Sequence, residues 1–315
     1  MQDTYTYKNP NDFDDEIDLI KLFYVLLDGK WIIISMTSFI SIIGVIFSLQ
    51  LPNIYESKAL LVPVNPSNSI ARSIGNYGSL AGLAGINLSP VSDGGNSAKA
   101  IKKISSLSFF ENNIMPNIYL PDLMAVKSWN SETNTLVFDE NIYDLNTNAW
   151  IRDYSFPSQL MPSAQESFKV FKSKHLTFSM DKRSGFSTLS IKHQSPFVAK
   201  QWAELIVNEV NNFYRTKDRL ESEKAASYLN QQISMTGLSE IKQVLALLLQ
   251  EETKKLTLIE ANQFYVFEYI DPPAVMELKS EPKRSTICIL IALVGGMLSI
   301  LLVLIRHYFF NEKNS

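Results

Sequence analysis

Cysteine is nearly missing from this sequence: 315 residues hold one, Cys288, and it falls inside a long apolar run. Neither a disulfide framework nor a thiolate-built metal centre can be assembled from it. Charge is spare too, at 19% of residues with a net of −3. That leaves no basic face for a nucleic acid backbone, and nucleic acid is excluded as a partner. Catalytic constellations are missing as well. The sequence has no nucleophile elbow, no glycosidase-like carboxylate pair and no metal-ligand cluster, and the adjacent acids Asp139-Glu140 and Glu251-Glu252 read as solvated faces. The expectation is a chain with no catalytic residues, no metal and no cofactor.

What the sequence has instead is two long runs free of charge. From Thr286 to Ile305 twenty residues pass without a charged side chain, closed by Arg284 and Arg306. As a helix rising about 1.5 Å per residue, such a run is roughly 30 Å long, the thickness of a bilayer's hydrocarbon core. A second run, Trp31 to Leu49, follows Lys30. Thirty mostly polar residues precede it and no small-residue cleavage site follows, so it reads as an uncleaved anchor rather than a signal peptide. Two spans put both termini on one side of the membrane and the long middle on the other. Lys30 before the first span, and Arg306, His307 and Lys313 after the second, favour the cytoplasm for the tails. The predicted organisation is a cytoplasmic tail over 1–30, a transmembrane helix over 31–51, a periplasmic α/β domain over 52–284, a second transmembrane helix over 285–305 and a cytoplasmic tail over 306–315. Within the spans, Gly44 with Ser48, and Gly295 and Gly296 with Ser299, form small-residue patches where two helices can pack closely.

Ahead of the first span, Ile17, Ile20, Leu22, Phe23, Leu26 and Leu27 give the apolar face of a short interfacial helix. Tyr55 to Val64 has the composition of a strand. A tract with Gly75, Gly78, Gly82, Gly85, Gly94 and Gly95 lacks the Lys-Ser/Thr of a phosphate loop and reads as a flexible loop or a tight subunit contact. Ala98 to Glu111 looks helical, and Pro116, Pro121, Pro157 and Pro162 break any long element in 112–165. His175 to Gln194 alternates apolar and polar residues around a turn at Asp181 to Gly185, a β-hairpin. His175 and His193 are expected on the solvent side of its strands rather than as metal ligands. Ser195-Pro196 then opens a helical pattern over about 197–263. Unbroken, it would reach roughly 100 Å, with Met235 to Gly237 as the place for a bend or break. Leu238, Ile241, Leu245 and Leu248 keep a 3,4,3 spacing on it. So long a stripe exceeds what one domain of this size covers, and it is predicted to meet neighbouring subunits. Phe264 to Ile270 reads as a strand that can pair with Tyr55 to Val64.

Taken in order, several segments resemble the Wzz-type chain-length determinants, the polysaccharide co-polymerases of bacterial inner membranes. They are the leader EIDLIKL, the span opening on Lys30-Trp31, the strand YESKALLVPV, the small-residue tract LAGLAGI, the long helix, and DPPAVMELKSEPKR ahead of a span containing Gly295-Gly296-Met297. The likeness runs over nearly the whole chain, with no shared motif in roughly 110–170. The proline series Pro272, Pro273 and Pro282 is less full than the family's, and Ser299 stands where a further glycine is common. The resemblance implies an α/β periplasmic domain with a long extended helix, anchored by two transmembrane helices. It implies a non-enzymatic homo-oligomer that regulates how many repeat units a Wzy-type polymerase adds to a surface polysaccharide, lipopolysaccharide O antigen first. The membrane, the polymerase and lipid-linked glycan are the partners it suggests. Two other classes fit a two-span chain: a sensor, which needs a cytoplasmic output module that tails of about 30 and 10 residues do not accommodate, and a membrane-anchored periplasmic enzyme of envelope glycan metabolism.

Overall fold

The computed structural model describes residues 19–64, 95–181 and 183–311. In chain order, helices α1 (Leu19–Asp28) and α2 (Lys30–Gln50) precede strand β1 (Tyr55–Pro63). Helix α3 (Gly95–Ile104) and a series of helical turns lead to α4 (Leu120–Met124). Strands β2 (Val126–Asn130), β3 (Thr135–Phe138), β4 (Tyr143–Asp144) and β5 (Ala149–Trp150) follow, then α5 (Ala164–Val170), β6 (Leu176–Met180) and β7 (Ser187–His193). The chain continues through α6 (Pro196–Met235), α7 (Ser239–Ala261), β8 (Phe267–Asp271) and α8 (Arg284–Asn311). Two compact units result: Pro52–Glu281, and the residues up to Leu51 together with those from Pro282 onward. The glycines from Gly75 to Gly94, Ile17 of the leader and Lys313 lie outside the described residues.

The larger unit is built on a four-stranded sheet of order β6-β7-β1-β8 in which every pairing is antiparallel. The α/β expectation is corrected here. With no parallel crossover among the described residues, the arrangement is of the α+β kind, helices lying against an antiparallel sheet. Period-2 alternation sets its inner face: Ala59 and Leu61 on β1, Leu189 and Ile191 on β7, and Phe267 on β8 are fully buried. Strand β8 pairs with β1, Leu61 opposite Tyr269 and Pro63 opposite Phe267. The hairpin read in His175 to Gln194 is β6–β7, with Leu176 opposite Ile191.

Helix α6 begins where Ser195, in extended conformation, accepts a hydrogen bond on its hydroxyl from the Val198 amide, with Pro196 at the first helical position. Its first half buries Ala199, Trp202, Ala203, Ile206, Val207 and Val210, closing the core with α3 and the turns carrying Phe109, Phe110 and Ile114. The helical pattern over 197–263 is broken into two helices at the expected place for a bend or break, Met235 to Gly237. Thr236 and Leu238 take extended dihedrals, and α7 runs back along α6, so that Arg219 reaches Glu260 (3.6 Å) and Arg215 donates to the carbonyls of Asn262 and Gln263. Forty residues in α6 give a helix of about 60 Å, well short of 100 Å.

His175 and His193 are not on the solvent side. Their rings lie 5.6 Å apart, both against Trp202. His193 accepts the Ser195 amide on Nδ1 and donates from Nε2 to the Asp122 carbonyl, and His175 donates from Nδ1 to the Lys192 carbonyl. Burial, and for His175 also the neighbouring ring of His193, pushes both imidazoles down, His175 to about 4. They are neutral core groups. Among the described residues no cluster of potential metal ligands occurs.

Candidate functional site: an exposed helical hairpin and an apolar helix pair

The distal half of α6 and all of α7 form an antiparallel helical hairpin with little inside it, Ser222 and Ile259 being its only fully buried members. On α7, Leu245, Leu249, Leu256 and Ile259 recur at 4, 7 and 3 residues, are the least exposed positions of their turns, and so form the seam toward α6. A second set points outward: Leu238 (60% exposed), Ile241, Val244, Leu247 and Leu248. The four predicted interface residues differ in exposure. Leu238, Ile241 and Leu248 are exposed, while Leu245 is half-buried in the hairpin's own seam. An open row of large aliphatics on a two-helix arm is the kind of surface another protein surface covers.

The arm is fastened to the sheet by a residue that sequence reasoning passed over. Buried Asn211 on α6 accepts the amides of Val266 (2.7 Å) and Phe267 (3.0 Å) on Oδ1 and donates to the Phe267 carbonyl (2.9 Å). These bonds satisfy backbone groups at the start of β8 that would otherwise be unpaired and buried. Nearby, Tyr265 donates to Asp218 (2.6 Å), which with burial raises its phenol pKa. An asparagine among Val207, Val210 and Tyr214 in a buried helical face was the available signal.

In the smaller unit, α2 and α8 are each long and apolar enough to cross a membrane. They pack antiparallel through small residues. A Cβ on Gly44 would lie 2.6 Å from Ile291, and one on Gly295 would lie 2.9 Å from Ile40, so each glycine receives the partner helix's isoleucine. Gly29, not singled out from sequence, is met by Val303 in the same way. Thr37 and Ser299 are hydrogen-bonded across the pair at 2.9 Å, and Ser299 also bonds back to the Gly295 carbonyl. Ser48 is buried in the seam. Gly296 is not part of it, since a Cβ there would meet nothing within 4 Å.

The prolines separate similarly. Pro273 is buried and Pro272 exposed in the extended segment after β8, where Ser57 donates to the Ala274 carbonyl (2.8 Å). Pro282 belongs to the smaller unit, and its carbonyl accepts the Arg284 amide at the start of α8.

Two helices long and apolar enough to cross a membrane, and between them in sequence a mixed domain bearing a helical arm, define the class of protein: a chain with two candidate spans and one large middle domain. Residues 15–114 match the family model of Wzz, the chain length determinant protein. Among solved structures, a full-length bacterial polysaccharide co-polymerase is similar at 15% identity, over 93% of this chain and 99% of that one, with a TM-score of 0.42. A fragment of WzzB, the polysaccharide co-polymerase from Salmonella Typhimurium, is similar at 13% identity, over 73% of this chain and all of that one, with a TM-score of 0.33. No curated protein matches the chain by sequence.

Proposed function

We infer that this chain is a non-enzymatic scaffold of the bacterial inner membrane that sets the length of a surface polysaccharide. Lipopolysaccharide O antigen made by a Wzy-type polymerase is the leading assignment. The observation that carries the reading is the match of residues 15–114 to the chain length determinant family. The tails are assigned to the cytoplasm and residues 52–284 to the periplasm, on the strength of Lys30, Arg306 and His307 flanking the apolar helices. The protein acts as a homo-oligomer, and the outward row Leu238, Ile241 and Leu248 is the proposed contact between copies. Length control in such an assembly is a matter of geometry. A ring of subunits around or beside a polymerase limits how long a growing chain is retained, without bond making of its own. Deleting the gene and resolving the surface polysaccharide by gel tests the reading directly: the modal length cluster should collapse into an unregulated ladder. An unchanged ladder, or turnover of lipid-linked sugar by the purified protein, refutes it.

A further inference from the structure

We propose that the loop from Ile151 to Met161 is a docking platform for a neutral, hydroxyl-rich polysaccharide, on which the rings of Tyr154 and Phe156 stack against sugar rings. The proposal rests on the polysaccharide reading above and adds to it a direct contact and its place. Residues 153–161 are exposed without interruption, yet they include four large apolar side chains. Phe156 is 96% exposed, Tyr154 59%, Met161 55% and Leu160 43%. A phenylalanine left almost wholly in water forgoes the stabilisation that burying it brings, so a ring held out on a loop calls for an occupant.

The loop is built to hold that shape. Arg152 closes its two ends: the guanidinium donates to the carbonyls of Leu160 (2.9 Å) and Gln159 (2.7 Å) and pairs with Glu166, itself at the capped start of α5. The Ile151 amide bonds to the Ile142 carbonyl, and within the loop the Ser158 amide bonds to the Ser155 carbonyl (2.9 Å). Just before it in sequence, Trp150 packs on Tyr143 and Tyr143 on Tyr119, a contiguous aromatic cluster. A loop whose backbone is already fixed by such bonds loses little freedom on binding, which suits a docking platform. Shallow cavities of about 390 and 540 Å³ flank the buried Pro162, one reached past Arg152 and Asp153, the other past Gln159 and Met161.

Charge decides the occupant. From Asp139 to Met161 there are four acids and one cation, Arg152, whose guanidinium is consumed inside the loop. With Arg152 engaged, the loop from 151 to 161 offers no uncommitted cation to an anionic lipid surface or a phosphate-rich ligand. The loop and the turn before it in sequence are rich in amides and hydroxyls, with Asn146, Asn148, Ser155, Ser158 and Gln159 all exposed. Aromatic faces carry a negative quadrupole that attracts polarised C–H groups, and amides and hydroxyls exchange hydrogen bonds with alcohols. That combination recognises the C–H faces and hydroxyl rims of uncharged sugars.

The test uses the full-length protein in detergent and surface polysaccharide from the producing strain, freed of lipid by mild acid, with saturation-transfer NMR and titration as readouts. Tyr154→Ala with Phe156→Ala should weaken binding about tenfold or more, leave the oligomer's size unchanged and alter the modal length in cells. Equal binding by variant and wild type, or no binding by wild type, overturns the platform, while collapse of the modal length on deleting the gene, run on the same gels, would leave the scaffold reading standing. A smaller oligomer would overturn the platform in favour of a subunit contact.

Discussion

Gly295 and Gly296 are neighbours in sequence and opposites in the helix pair, which makes them a matched perturbation and control. A Cβ at 295 would stand 2.9 Å from the Ile40 methyl, whereas carbon contacts settle at about 3.5–4.0 Å, and leucine adds three further carbons in the same direction. Overpacking of this kind costs roughly 1–3 kcal/mol. At about 1.4 kcal/mol per factor of ten, the close-packed population falls between about fivefold and a hundredfold. Leucine at 296 meets open space, and it partitions well into hydrocarbon, so its effect is expected to stay within about 0.5 kcal/mol. The Thr37–Ser299 contact supplies the assay. Its two hydroxyl oxygens are 2.9 Å apart, so Thr37→Cys with Ser299→Cys, in a Cys288→Ser background, places two thiols within disulfide reach. After cleavage at a protease site inserted near Ser131, oxidised halves stay joined on a non-reducing gel. The joined fraction should drop for Gly295→Leu and hold for Gly296→Leu. Equal cross-linking in the two, at equal membrane abundance, would refute the packing argument.

Other predictions concern the larger unit. Ile241→Asp with Leu248→Asp, both exposed on α7, should leave thermal stability near wild type but dissociate the oligomer in light scattering and broaden the glycan length distribution; an intact oligomer excludes those residues as the contact. Asn211→Leu orphans the bonded amides and carbonyl of β8 and should cost about 3 kcal/mol or more, read as a lowered unfolding midpoint, whereas a change under about 1 kcal/mol would show that water replaces the side chain. His175 titrates near 4 when folded and near 6.5 when unfolded, so below 6.5 the unfolded chain binds the extra proton: stability is full above pH 6.5 and is lost as pH falls toward 4, by at most about 3 kcal/mol. Burial raises Asp122 to about 6, and that group works oppositely, gaining stability as pH falls from 6 toward 4. Asp122→Asn should therefore steepen the acid loss of the unfolding midpoint relative to wild type; parallel pH profiles would refute the offset.

The local pattern was enough for some of this architecture. Alternation in β6–β7 and the uncharged runs of α2 and α8 are one-dimensional signals, each made by residues whose neighbours in sequence share their surroundings. The reversal at 236–238 is only partly of that kind. Gly237 marks the place of the break, but whether α7 runs onward or folds back depends on partners such as Arg215 and Asn262, some 47 positions apart. His193 was legible and misassigned: it follows Leu189 and Ile191 at period 2, which places it on the buried face with them. Of the residues expected to pack the apolar helices, Gly295 and Gly296 look alike in sequence, and only the phase of α8 against Ile40 separates them. The loop at 151–161 was read as a tract interrupted by prolines, because exposure of an aromatic ring has no sequence period.

Where the larger unit begins and ends has a consequence of its own. The Ile54 amide donates to the Glu281 carbonyl, the Ser280 amide returns a bond to the Ile54 carbonyl, and Lys192 ties Glu281 to the sheet. The polypeptide thus enters and leaves the domain through a single latched gate. A segment whose ends touch can be lifted out of one chain and set into another without stretching either, because closing the remaining gap demands almost no length. Exchange of the whole Pro52–Glu281 module between related proteins should therefore be tolerated far better than exchange at any interior boundary, and chimaeras cut at the gate offer a clean way to ask which unit carries a given glycan length.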